Sequence, residues 1–149
     1  MAFPSISQLR QNPFFFTAES QGRVAANEFA FKLSQTGSEL FLGGTDSTKF
    51  TGNIEFHGLS STNGFWQIGD FCAKVNGENA TSSGIQTIID TGTTIMIAPV
   101  ADANAFYSKI PGSKALTGGD AGLYSFPCSH VPSVTFSWGG KNWPISSAK

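Results

Sequence analysis

The chain is expected to be an all-β protein carrying one or two short helices. Short apolar stretches recur with a period of two, glycines and other turn formers interrupt them every few residues, and only one segment has the composition of a convincing helix. With 17 glycines among 149 residues, the pattern is that of many short strands joined by tight turns.

Taken in order, residues 1–13 carry Ser, Gln, Asn and Pro and read as loop. Residues 14–24 are compatible with a short helix, Gly22 notwithstanding. Phe29, Phe31 and Leu33 alternate with Ala30, Lys32 and Ser34, which marks a strand. Gln35-Thr36-Gly37-Ser38 supplies a turn and Glu39–Leu42 the returning strand, so the pair is a hairpin. Residues 53–59 alternate again, with Ile54 and Phe56 on one face. Residues 65–68 and 71–75 read as two further strands, and Asn76-Gly77 is a strong hairpin-turn signal because both residues tolerate positive φ.

The loop 78–84 feeds a strand at 85–89 that ends in Asp90, and a second apolar strand through Ile95, Met96 and Ile97 runs out to Pro99. Residues 100–110 form the expected helix, stopped by Pro111-Gly112. Residues 123–126, 133–138 and 141–145 are strands, the last two joined by Gly139-Gly140.

A chain of this length can bury a core. Hydrophobic residues make up 40% and Phe occurs 14 times, whereas charged residues are only 13%, about half the usual share. The net charge of −1 offers no basic footprint for nucleic acid or an anionic membrane. No apolar run approaches the roughly 20 residues needed to span a bilayer, and Met1-Ala2-Phe3-Pro4 lacks the basic and apolar regions of a signal peptide. Asn79-Ala80-Thr81 is a glycosylation sequon. Cys72 and Cys128 lie 56 positions apart, too few and too separate for a disulfide scaffold; a bridge between them is allowed but not demanded.

The stretch that invites chemistry is Ile88-Ile89-Asp90-Thr91-Gly92-Thr93-Thr94-Ile95-Met96. Apolar strands on both sides should draw the acid towards low dielectric and raise its pKa unless hydrogen bonds compensate. Thr91, Thr93, Thr94 and the amides around Gly92 are placed to supply them. Gly92 also permits positive φ and a close backbone approach to a ligand. The plainer reading is that Asp90 caps a turn, as Asp-x-Gly triplets commonly do.

The segment Ile89-Asp90-Thr91-Gly92-Thr93-Thr94 resembles the second active-site loop of the pepsin-like aspartic endopeptidases, closest in wording to secreted fungal members. Phe3-Pro4-Ser5-Ile6, Leu42-Gly43-Gly44-Thr45-Asp46, Tyr107 near Pro111-Gly112, and Val131-Pro132-Ser133-Val134-Thr135-Phe136 resemble further landmarks of that family, in order, so the likeness covers the whole chain. It implies the acid-protease fold in incomplete form: 1–44 as the end of the first lobe, 45–59 as the inter-lobe sheet segment, and 60–149 as the catalytic C-terminal lobe without its last strands. The first lobe's own Asp-Thr-Gly loop and flap tyrosine have no counterpart here.

The resemblance makes Asp90 one of two catalytic aspartates that share a proton across an activated water. It assigns Thr91 to an interlock with the other lobe, Thr93 to a hydrogen bond on the carboxylate, and Thr94 with the Gly92 backbone to holding an extended polypeptide substrate. Phe65, Ile88 and Ile97 resemble pocket-lining positions; on pattern alone they serve equally as core. It also implies a disulfide from Cys128 to a cysteine downstream of Lys149, and an extracellular or vacuolar location for the full-length protein.

No cofactor or metal is implied. Cys128-x-His130 lacks a second ligand pair, His57 is a lone strand residue, and no Gly-x-Ser-x-Gly elbow is present. Gly118-Gly119-Asp120-Ala121-Gly122 lacks the order and the Lys of phosphate-binding loops. No other acid stands in an Asp-Thr-Gly or Asp-Ser-Gly loop, so the second carboxylate must come from the missing lobe or a second copy. Three functions follow: an endopeptidase of which this chain supplies one aspartate, a non-catalytic peptide- or protein-binding scaffold, and a half-sized protease active only as a homodimer.

Overall fold

The structure, a computed structural model, describes residues 3–146. They fall into two units: the chain up to Phe56 together with Thr62–Phe65, and His57–Ser61 together with the chain from Trp66 onward.

The first unit is built on aromatic packing. Helix α1 (Phe14–Ser20) starts at Pro13 and buries Phe15, only 2% exposed. The Phe15 ring meets Phe29 at 4.9 Å, and Phe29 in turn meets Phe31 at 5.9 Å. Phe29 and Phe31 lie on β1 (Phe29–Lys32), which pairs antiparallel with β2 (Glu39–Leu42), Phe29 opposite Leu42 and Lys32 opposite Glu39. The expected hairpin is therefore present.

The helix stops short of the expected 14–24. Gly22 adopts φ 64°, its N–H donates to the Glu19 carbonyl at 2.9 Å, and the Arg23 N–H donates to the Ala18 carbonyl at 2.9 Å. That pair of bonds terminates a helix around a left-handed glycine.

The second unit is organised by β3 (Gln67–Val75). Phe71, Ala73 and Val75 are buried in alternation while Cys72 and Lys74 are less so. Residues 65–68 and 71–75 were expected as two strands. Residues 67–75 form a single strand instead, leaving Phe65 and Trp66 outside it, with a register shift between Ile68 and Phe71 and Asp70 at φ 60°, which is a bulge rather than a break.

Asn76 and Gly77, at φ 52° and 87°, turn the chain into β4 (Glu78–Asn79) as a two-residue loop with both φ values positive. Asn76 also ties down a distant segment: its Oδ1 accepts from the Ser133 N–H at 3.0 Å. The five-stranded sheet runs β4, β3, β8 (Val134–Ser137) and β9 (Trp143–Ile145), with β5 (Ile85–Ile88) paired to the first half of β3.

Helix α2 (Val100–Ser108) closes one side of this core. Phe106 and Tyr107 pack against buried Val75, Ala80 and Ile110. Asp102 in its first turn accepts the Ser82 N–H at 3.2 Å, which also sets a carboxylate at the positive end of the helix dipole. A two-residue ladder joins β6 (Lys114–Ala115) to β7 (Tyr124–Ser125), and the Tyr124 ring stacks on Tyr107 at 4.1 Å.

Two expected strands are irregular. Residues 53–59 contain no strand, and Phe56 and Ile54 are 84% and 41% exposed there, so the alternation does not mark a buried face. Residues 95–98, expected to leave the Asp90 loop as a strand, are also irregular, with Ile95, Met96 and Ile97 exposed. The strands at 123–126 and 141–145 are shorter than expected, and the helix at 100–110 ends at Ser108.

Candidate active-site loop

Strand β5 delivers the loop. Gln67 lies opposite Ile88 and Ile68 opposite Thr87, and beyond the strand the Ile89 N–H still donates to the Trp66 carbonyl at 2.9 Å. The backbone is thus held to within one residue of Asp90.

A side-chain relay fastens the same strand. The Trp138 indole N–H donates to Thr87 Oγ1 at 2.8 Å, and the Thr87 hydroxyl donates to the Ile68 carbonyl at 3.3 Å, both partly buried. Phe71 packs on the Trp138 ring at 5.4 Å. Sequence reasoning does not find this relay. The signals in hindsight are a hydroxyl inside an apolar strand and an indole whose single N–H must find an acceptor when buried, but nothing local joins residues 51 positions apart.

At the loop itself Asp90 uses both oxygens. Oδ1 accepts the Gly92 N–H at 2.9 Å, and Oδ2 accepts the Thr93 hydroxyl at 2.6 Å. The Thr93 bond, followed by the Gly92 bond, holds the carboxyl below the ordinary aspartate range; the opposing effect of desolvation is smaller.

The acid was expected in low dielectric, and this is corrected. Asp90 is exposed, as is every residue from Thr91 to Val100. Ile89, Ile95 and Met96 form no wall around it because they are themselves 46%, 60% and 74% exposed. Gly92 departs from expectation too: its φ is not in the left-handed region. Its value lies in space, since a Cβ there would sit 3.3 Å from Asp90 Oδ1, inside ordinary contact distance.

Thr91 and Thr94 stand exposed outside this pair of bonds. Ile88 and Ile97, in the second unit, are 52% and 83% exposed, and Phe65, in the first, is 42% exposed. Both cysteines are free thiols, Cys128 exposed and Cys72 less so, which rules out a Cys72–Cys128 bridge in this structure. His130 lies beside Ser129, with Oγ and Nδ1 3.0 Å apart. Asn79 is exposed on β4. No helix among the described residues is long and apolar enough to cross a membrane.

An exposed carboxylate stabilised as the anion by two short donors can act as a base towards water, but it has no proton of its own to give at the pH where it is ionised. Comparison with known proteins places the loop in a family context. The chain is 37% identical over 99% of its length to an aspartic protease of Phaffia rhodozyma, 34% identical over 98% to human cathepsin D, and 32% identical over 97% to secreted aspartyl protease 1 of Malassezia globosa. It spans 37%, 36% and 35% of those relatives, little more than a third of their length. The family model described as eukaryotic aspartyl protease matches residues 1–149, and with the Asp90 loop and the strand-rich, pepsin-like architecture it shows that the chain belongs to the eukaryotic aspartyl protease family.

Proposed function

We propose that the intact protein is an aspartic-type endopeptidase that cleaves extended polypeptides at acid pH with a water activated between two aspartates, and that Asp90 is one of the two. The observation that carries this reading is the grip on the Asp90 carboxylate by Thr93 and Gly92, within an Asp-Thr-Gly loop. Two carboxylates about 3 Å apart cannot both ionise, so one serves as base and the other as acid; pepsin-like proteases are the standard example of that arrangement. The depressed pKa of Asp90 suits it to be the ionised member, with the second carboxylate supplied by the other lobe or by a second copy.

In this reading residues 1–44 end the first lobe, 45–59 belong to the inter-lobe sheet and 60–149 to the catalytic lobe. Thr91 interlocks with the opposite loop, Thr94 and the Gly92 backbone hold the substrate as an added strand, and Phe65, Ile88 and Ile97 line side-chain pockets. Their exposure in this chain leaves them available for contact. The exposed Cys128 thiol pairs with a downstream cysteine, and the protein works outside the cell or in a vacuole.

The test compares the complete protein with its Asp90→Asn variant on an unfolded protein substrate at about pH 3 to 5, where a shared-proton pair operates. Hydrolysis that vanishes in the variant is the expected result. Undiminished hydrolysis by Asp90→Asn refutes the assignment. Activity of the 149-residue chain by itself, abolished by the same substitution, assigns the second carboxylate to another copy.

A further inference from the structure

We infer that Asn79 is an N-glycosylation site and that the sugar is attached before the hairpin of β3 and β4 closes. Asn79-Ala80-Thr81 is the only Asn-x-Ser/Thr triplet in the sequence. The fold adds three observations. First, β4 has a single strand partner among the described residues, with Asn79 opposite Lys74, so its outer side is an open edge. Asn79 itself is exposed.

Second, Ala80 is 2% exposed and packs with Val75 and Ile110. Side chains alternate along an extended chain, so Ala80 points into the core while its neighbours Asn79 and Thr81 face away from it. A bulky, hydrated substituent on Asn79 therefore displaces no core contact. At an open edge it also obstructs pairing with a foreign strand.

Third, the side-chain oxygens of both Asn79 and Thr81 are engaged as acceptors once the hairpin forms. Thr81 Oγ1 accepts the Ala73 N–H at 3.0 Å, and Asn79 Oδ1 accepts the Cys72 thiol at 3.5 Å. The Ala80 N–H is itself donated to the Ala73 carbonyl at 2.8 Å. An enzyme that must grip Asn-x-Thr and read its hydroxyl has to act while these groups are open.

The co-reactant is an oligosaccharide carried on a lipid diphosphate. A bond forms between Asn79 Nδ2 and the first sugar carbon as that carbon's bond to the diphosphate oxygen breaks. The lipid diphosphate leaves with the electron pair, and Nδ2 gives up one proton.

The inference rests on the secretory route proposed above, which the assay supplies directly. The 149-residue chain behind a cleavable leader is translated with endoplasmic-reticulum microsomes, and protease protection marks the translocated product. A gel shift removed by peptide N-glycosidase is expected for the chain and for Thr81→Ser, and none for Asn79→Gln or Thr81→Ala. Protected but unshifted chain overturns the site. For the order of events, solubilised transferase and lipid-linked donor are offered the native chain and a peptide spanning residues 70–85. Faster modification of the peptide is expected, and equal rates overturn the ordering. Neither readout depends on proteolysis, so failure here leaves the role of Asp90 standing.

Discussion

Replacing Trp138 by Phe tests how firmly the strand that carries Asp90 is fastened. The change keeps most of the ring against Phe71 and deletes the indole N–H that reaches Thr87 at 2.8 Å. A net hydrogen bond contributes about 1 kcal/mol, and the smaller ring gives up about 0.5 to 1 kcal/mol of burial. Trp138→Phe should thus destabilise the chain by about 1.5 to 2 kcal/mol. Thr87→Val preserves shape but removes the acceptor, leaves the indole N–H without it, and ends the bond to the Ile68 carbonyl. With both sites partly buried, about 1 to 2 kcal/mol is expected, below the full penalty of an orphaned donor. In the double variant no donor is left stranded. The two losses should therefore overlap by about 1 kcal/mol, a coupling that a double-mutant cycle isolates. Urea unfolding followed by far-ultraviolet circular dichroism supplies all four stabilities. Losses that add to within about 0.3 kcal/mol would refute the reasoning and leave the relay a mere proximity.

Thr93→Val should move the Asp90 carboxyl upward in pH, because its largest stabilising bond as an anion is removed while the Gly92 bond stays; carboxyl NMR titration checks this, and an unchanged midpoint counts against it. The sign for stability follows: a depressed folded pKa stabilises above the ordinary aspartate range and is lost as pH falls through the folded value, so Thr93→Val should flatten the acid limb of the stability profile. Val75→Ala removes two methyl groups from a side chain only 1% exposed, worth about 1.6 kcal/mol of transfer plus a cavity contribution, for about 2 to 3 kcal/mol in all by chemical unfolding. Gly22→Ala forces a Cβ into φ 64° at the end of α1 and should cost about 1 kcal/mol, whereas the same change at Gly119, whose φ lies outside the left-handed region, should be close to neutral in the same measurement.

Local chemistry made much of this chain legible. The alternation of Phe29 and Phe31 and the turn signals of Asn76-Gly77 marked hairpins, because strand period and turn φ are properties of a few adjacent residues. The Asp90 loop was recognisable for the same reason: its carboxylate is held by Gly92 and Thr93, its near neighbours in sequence. The sequon is likewise a three-residue fact.

What tertiary structure decided is whatever depends on distant partners. Residues 53–59 have the alternation of a strand but remain irregular, since Phe56 finds no face to bury against. Residues 67–75 became one bulged strand because β5 pairs with its first half and β8 with its second, which no local pattern announces. The exposure of Asp90 turned on whether its apolar neighbours pack, and they do not. The Trp138 relay exists only because β8 ends where Thr87 on β5 can meet it. Hydrogen bonds within a loop are written into adjacent residues; burial and register are set by which segments the folded chain brings side by side.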